Sequence, residues 1–452
     1  MNRRGLAAVA MAFAMVLSAG ACAQEQKKAT FTGDTTAEPE YQANLNAISP
    51  SAYGDVRGLN LEPGTYISII GKMESTSYWR AVRDGVMQAA EDLNTQLGYT
   101  GNDKIKVTYN APAKAEDIDE QVNILDEELS RYPDVIGIAS IDEAACTVQF
   151  DLATENGIPI IALDSGNQYQ GIQCTVKTDN QEAARTGAYK LADEIDKKGD
   201  VIVLAHDSKS ETARERVLSF QEEMEQNHPD VHVVEVIYCD MLDDIKKEMA
   251  EKQNEGLKEG ERQIEKESFS DVDAVQYMME KYPNLKGMFG TNSSATMLAL
   301  ESIRQAEQER EEEEPEFEKN SDASGSGRSG DGNTSAASKD EKSADEVSAV
   351  SEDGKVQEDA SAASEDEEGS IQNAARIVLV GFDTGKEQLQ ALESGEISGL
   401  VVQNPFGMGY ASVVAAARTV LEAGNEAEVS TSYLWLTKDN MNEESVRKML
   451  YE

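Results

Sequence analysis

Histidine, cysteine, aromatic side chains and positive charge are all scarce in this chain. Only three histidines occur in 452 residues, His206, His228 and His232. None has a partner at metal-ligand spacing, so no metal is expected. The four cysteines make no CxxC pair. One of them, Cys22, falls in a leader, and the other three (Cys146, Cys174 and Cys239) allow at most one disulfide and support neither a zinc nor a redox motif. Lysine and arginine number 41 against 85 aspartates and glutamates, a net charge of −44. Such a chain repels phosphate backbones, which argues against nucleic acid as a partner. No cofactor is expected either.

What is present begins with a leader. Residues 1–21 carry Arg3 and Arg4, an apolar stretch over 6–17 and then small residues, the anatomy of an export signal and too short for a membrane span. The ending 17–22 resembles a bacterial lipobox, which would make Cys22 a lipidated membrane anchor, although Ala19 stands where leucine is usual. Residues 22–63 are polar and lack clear periodicity, which predicts a flexible tether.

From residue 64 strands and helices alternate. Short apolar runs at 66–70, 104–109, 135–139 and 157–164 are separated by helical patterns at 78–97, 116–132 and 144–156. A second round follows: strands at 201–206, 231–238, 287–290 and 377–382, with helices at 212–227, 272–281 and from 294. This rhythm predicts an α/β fold of two doubly wound parallel-sheet lobes with a cleft between them. Two stretches interrupt it. Residues 243–271 are rich in Lys and Glu, with apolar residues too sparse for a burying face, which predicts a solvated, charged insertion on the cleft rim. Residues 305–370 open on an acidic run and continue as Ser, Gly, Ala, Asp and Glu, a composition that predicts a disordered acidic insertion.

Ligands of open α/β sheets sit beyond the carboxyl ends of the strands, so the polar residues there are the candidate site. They include Ser75 to Trp79, Ser140, Asp142, Asp164, Asn180, Arg216, Asn292, Asp383 and Gln403. Taken alone, Asp164 is as consistent with a cap or turn as with a ligand contact, and the others favour the cap or turn. Together they supply carboxylates, amides, a guanidinium and two large aromatics, Tyr78 and Trp79. Hydroxyl groups both donate and accept, so this set suits a polyhydroxylated ring, with the aromatics covering its C–H faces. The pair Asp164 and Asp383 could suggest glycoside hydrolysis, but neither has the context of a distinct acid, so no enzyme is expected.

The chain from residue 64 onward resembles the periplasmic sugar-binding proteins of the ribose-binding type. The residues that carry this are 157–164, Thr178-Asp179-Asn180, Ala213-Arg214-Glu215-Arg216, Gly381-Phe382-Asp383 and Gln403-Asn404-Pro405. It is similar above all to the solute-binding lipoproteins of bacterial sugar ABC transporters. An export signal, with no helix-turn-helix, precedes the domain and sets aside the related repressors. The resemblance implies lobes of 64–178 plus 404–430 and of 179–403 plus 431–452, with hinge crossings near 178–180, 403 and 430–433. It implies ligand contacts from Tyr78, Trp79, Asp164, Asn180, Arg216, Asn292, Asp383 and Gln403. It also implies a monomeric, extracytoplasmic receptor serving a transporter permease, or alternatively a sensory subunit reporting sugar occupancy to a membrane kinase or chemoreceptor. Departures from the family pattern are Ser165 where arginine is usual, Ala139 for asparagine, Thr76 for an amide, and no evident second-lobe aromatic near Asp240 and Met241.

Overall fold

The structure, a computed structural model, describes residues 38–255, 257, 263–313 and 376–451. The expected export signal, Cys22 and the bulk of the acidic tract lie outside these residues. All described residues from Glu40 onward belong to one unit.

The first half of the chain runs α1 (Gln42–Asn46), β1 (Tyr66–Ile70), α2 (Ser77–Leu97), β2 (Lys106–Asn110), α3 (Ile118–Ser130), β3 (Val135–Ile138), α4 (Thr147–Glu155), β4 (Ile160–Leu163) and β5 (Ile172–Lys177). The second runs α5 (Asn180–Glu194), β6 (Gly199–Ala205), α6 (Glu211–Asn227), β7 (Val231–Tyr238), α7 (Leu242–Asn254), α8 (Asp271–Glu280), β8 (Leu285–Gly290), α9 (Ser293–Glu313), β9 (Val378–Phe382), α10 (Lys386–Ser394) and β10 (Gly399–Gln403). Then come α11 (Pro405–Val420), β11 (Glu428–Ser430), β12 (Tyr433–Leu436) and α12 (Glu444–Arg447). Two six-stranded sheets result, ordered β11-β5-β4-β3-β1-β2 and β12-β10-β9-β8-β6-β7. All pairings are parallel except β10 with β12. The strands β1, β3, β4, β9 and β10 are almost wholly buried, as strands covered by helices on both faces must be.

The chain passes between the sheets three times: after β5, after β10, and between β11 and β12. This is the expected architecture of two lobes joined by a three-strand hinge. The helices that start at the cleft are capped by the residues just before them. Thr76 accepts from the Trp79 amide, Asp179 from Glu182, Ser210 from Ala213 and Asn404 from Gly407, where Pro405 also opens the helix. Each cap satisfies an otherwise orphaned helix-end donor.

Three expectations are corrected. Residues 42–61 are not a tether: Leu45, Ile48, Tyr53, Val56, Leu59 and Leu61 are buried, and Ser49 pairs with Ser430 of β11 in both directions, at 2.8 and 2.9 Å. Residues 242–254 form α7, which buries Leu242 and Met249 against the same core as α8, with Ile245 half-buried beside them, so this stretch joins the packed layer; three apolar side chains suffice when the rest of the helix is solvated. Residues 305–313 continue α9 rather than opening the acidic tract, held where Ile303 is buried and Arg304 makes a two-pronged pair with Glu396 at 2.6 and 2.9 Å. The described cysteines Cys146, Cys174 and Cys239 are free thiols, and burial pushes Cys146 up to about 11.

Helices α2 and α11 meet backbone to backbone. A Cβ on Gly85 would lie 2.0 Å from the Phe406 carbonyl oxygen, and one on Gly409 would lie 2.0 Å from that of Val82. A backbone atom cannot rotate away, so either Gly85→Ala or Gly409→Ala must push the helices apart. Each should destabilise the protein by ~1–3 kcal/mol, read as a lower urea midpoint at unchanged slope. Wild-type midpoints in both would show that the helices are not in contact as described.

Candidate functional site

Each sheet ends one central strand on an aspartate, and both aspartates have a left-handed backbone. Asp164 follows β4 with φ of 60°, and Asp383 follows β9 with φ of 75°. Their amides play the same part, Asp164 N–H donating to the Val176 carbonyl and Asp383 N–H to that of Val401, at 2.9 and 2.8 Å. Aspartate tolerates this conformation better than most residues, and such conformations gather at functional sites.

Around the first aspartate, Tyr78 donates its hydroxyl to Asp164 Oδ1 at 2.6 Å, and Lys72 Nζ lies 3.6 Å from Oδ2. Lys72 also donates to Ser165 Oγ at 2.6 Å, and Ser165 reaches across the cleft to Thr212 Oγ1 at 2.8 Å. Trp79 packs edge-on against Tyr78, with ring centroids 5.2 Å apart. Both aromatics are buried because they stand in the first turn of α2, where the chain has just left the sheet.

The second aspartate is held more tightly. Its Oδ1 accepts from Gln403 Nε2 at 2.6 Å and from the Tyr451 hydroxyl at 2.8 Å, and Oδ2 accepts from the Ser293 amide at 2.9 Å. Burial raises its carboxyl above the usual range, while Arg216 and these donors oppose the shift. Arg216 is itself buried and directs Nε to Asn180 Oδ1 at 2.9 Å, Nη1 to the Thr291 carbonyl at 2.6 Å and Nη2 to Gln403 Oε1 at 2.7 Å. Its guanidinium carbon stands 4.1 Å from the centre of the Phe382 ring, a favourable cation–π arrangement. Asn292 caps α9, its Oδ1 accepting from the Ala295 amide at 2.8 Å.

These groups surround a cavity of about 100 Å³ lined by residues of both lobes. It is on the scale of the ~150 Å³ cavity that holds one benzene ring, and too small for an oligomeric ligand. Tyr78, Trp79, Asp164, Arg216, Asn292, Asp383 and Gln403 all line it. Asn180 does not: it stands behind Arg216, accepting from Nε and donating to Glu215 Oε2 at 3.0 Å. Thr212, at the start of α6 beside Arg216, lines the cavity too, and Lys72, Glu116, His206, Ser293, Thr384 and Tyr451 line it as well and were not anticipated. Lys72, two residues beyond β1, carried the same strand-end signal as the rest. Tyr451 follows no strand and carried none. Among the described residues no group of His, Cys, Asp or Glu is arranged to hold a metal, and no helix is long and apolar enough to cross a membrane.

The profile of the family described as periplasmic binding protein domain matches residues 67–312, more than half of the chain. The chain belongs to the periplasmic binding protein domain family. Solved structures of this fold include a carbohydrate transporter solute-binding protein from Agrobacterium radiobacter in complex with D-arabinose. It is 20% identical with a TM-score of 0.58, over 85% of this chain and 98% of that one. A solute-binding protein from Agrobacterium vitis bound with α-D-tagatopyranose is 19% identical with a TM-score of 0.58, over 86% and 99%. A glucose-galactose binding protein from Geobacillus stearothermophilus is 18% identical with a TM-score of 0.57, over 84% and 99%. No curated protein matches the chain. In this periplasmic binding fold the cavity occupies the usual place, between the carboxyl ends of the two sheets.

Two measurements test the network. Removing Arg216 would leave Asp383 buried without its cation and take a donor from Asn180 Oδ1, the Thr291 carbonyl and Gln403 Oε1, the last of which keeps Thr178. Arg216→Ala should therefore cost ~3–5 kcal/mol, and Arg216→Lys should fail to restore most of it, because an ammonium cannot match the planar fork; denaturant unfolding reads both. His206 is largely covered, its side chain 9% exposed, with Nδ1 2.7 Å from Thr291 Oγ1 and Nε2 3.4 Å from Asp207 Oδ2. Burial, helped by Arg216 and Lys72 and opposed by Asp207, holds it well below its ordinary value, hence neutral. The unfolded chain takes up that proton below about pH 6.5, so stability falls as pH drops through that value. Between pH 7.5 and 5.5 the wild-type melting temperature should fall further than that of His206→Asn; equal falls would refute a neutral His206.

Proposed function

We propose that this chain is an extracytoplasmic receptor that captures a single small sugar between its lobes and passes it to the permease of an ABC transporter. One observation carries the reading. Three carboxylates, two cations, two primary amides and three aromatics from both lobes converge on a cavity the size of one small ring. Ionised and amide groups suit hydroxyls that donate and accept at once, and Tyr78 and Trp79 offer apolar faces for C–H groups. The sugars bound by proteins of the same fold support this class of ligand. On this reading residues 1–21 direct export, Cys22 carries a lipid anchor, and the receptor acts as a monomer.

Ligand bridging both lobes stabilises the closed arrangement. That arrangement already shows cross-cleft contacts, Ser165 to Thr212 and Arg214 to Glu143 at 2.6 Å. The reading is tested on protein lacking residues 1–22 by thermal shift against pentoses, hexoses and polyols. A ligand at ~100 times its Kd adds about 2.7 kcal/mol to the folded state. A selective rise in Tm is expected, abolished by Asp164→Asn, which keeps the acceptor for Tyr78 but removes the charge facing Lys72. A panel without any shift would remove sugars as the ligand class.

A further inference from the structure

The second lobe lacks an evident aromatic near Asp240 and Met241, yet an aromatic from beyond β12 enters the cavity. The segment after β12 is lightly held. α12 has no buried residue, and most side chains from 442 to 448 are exposed. Tyr451 is the exception, 8% exposed. The Thr384 hydroxyl hooks its backbone, donating to the Tyr451 carbonyl at 2.9 Å and lying 3.3 Å from its amide. The Tyr451 ring meets Tyr78 edge-on, with centroids 5.9 Å apart. The segment also touches the strap that precedes β1, Asn44 Nδ2 donating to the Lys448 carbonyl at 3.3 Å.

The two cleft carboxylates therefore share one arrangement: Tyr78 donates to Asp164, Tyr451 donates to Asp383, and the two rings touch. The consequence for a ligand lies in the acceptor count. Asp383 Oδ1 already accepts from Gln403 and Tyr451, which fills its two lone-pair directions. A ligand hydroxyl approaching that oxygen meets the Tyr451 hydroxyl instead, whose own lone pairs still accept. The ring closes the cavity wall beside it.

We infer that Tyr451 is a ligand-contacting residue that sets sugar specificity, supplying the second lobe's aromatic wall and presenting its hydroxyl in place of Asp383 Oδ1. This rests on the receptor reading above. Tyr451→Phe removes only the hydroxyl, and Tyr451→Ala the wall as well. The test is titration calorimetry of the purified wild type and both variants with D-arabinose, D-galactose and D-tagatose, with hydrogen exchange of the peptide 444–451 on the same samples. Tyr451→Phe should bind about three- to ten-fold more weakly, the scale of one hydrogen bond. That loss should differ between the sugars and change their order, and Tyr451→Ala should lose more for all of them. Wild-type affinities and order in both variants, or tighter binding by Tyr451→Ala, would overturn the inference and leave the receptor reading standing. Binding of no sugar by wild type would instead refute the sugar reading. Exchange then decides for Tyr451: protection of the peptide in wild type that collapses in Tyr451→Ala supports it as the closing wall, and an unprotected peptide overturns it.

Discussion

A single buried guanidinium joins the hinge of this protein to its cleft. Gln403, at the second crossing between lobes, accepts at its carbonyl oxygen from both Arg216 and Thr178 and donates its amide nitrogen to Asp383. Thr178 belongs to the first crossing, and Asn180, which holds Arg216 Nε, opens the helix just after it. The fork of Arg216 thus fixes the strand ends that must bend when the lobes move, together with the carboxylate on the cavity wall. A buried charge costs several kcal/mol unless its donors are all used, and here three nitrogens each find an acceptor. Occupancy of the cavity and hinge geometry share partners, which is the physical requirement for one to bias the other.

The two lobes solve the same problem with the same backbone and different side chains. β4 and β9 occupy equivalent places in their sheets, and each ends on an aspartate in the left-handed region whose amide continues the ladder to the neighbouring strand. Turning the chain there leaves the carboxylate standing free of the sheet, where a tyrosine hydroxyl reaches it. The surroundings then diverge. Asp164 has Lys72 beside it and Ser165 next in sequence, in place of an arginine, whereas Asp383 is enclosed by Arg216, Gln403, Ser293 and Tyr451. A compact ammonium on a flexible stem and a planar fork are not interchangeable, so the first lobe offers an adjustable charge and the second a fixed frame.

Much of this was legible in the residues. Buried parallel strands announce themselves as short apolar runs, and the residues just past them, Asp164, Asp383 and Gln403, stand in the cleft because the topology leaves them nowhere else. What escaped had physical reasons. Asn180 and Arg216 are both polar and adjacent to the hinge, and no spacing rule tells which stands in front and which behind. The strap at 42–61 buries Leu45, Ile48, Tyr53 and Leu61 one at a time along the five-residue α1, a single short turn and irregular chain, too short for a period to show. Tyr451 reaches the cavity from a segment that belongs to neither sheet, placed there by the hook on Thr384, its bond to Asp383 and the Tyr78 ring.

The lobes meet across the cleft through the Tyr78–Tyr451 ring pair, through Lys177 with Glu211 and Glu215 at 3.2 and 2.8 Å, and through weaker polar contacts. Ser165 to Thr212 and Ser77 to the Thr384 carbonyl are neutral hydrogen bonds, and Arg214 to Glu143 is a partly exposed ion pair. Each such contact contributes roughly 1 kcal/mol or less after solvent competition. The buried network of Arg216 lies mostly within the second lobe and its hinge crossings rather than across the cleft. A ligand held between the two walls, as proposed above, adds bonds that exist only when the lobes meet. A difference of a few kcal/mol in favour of the closed state is enough to turn a mixed population into a nearly uniform one, and the cleft has the donors and acceptors on both walls to provide it.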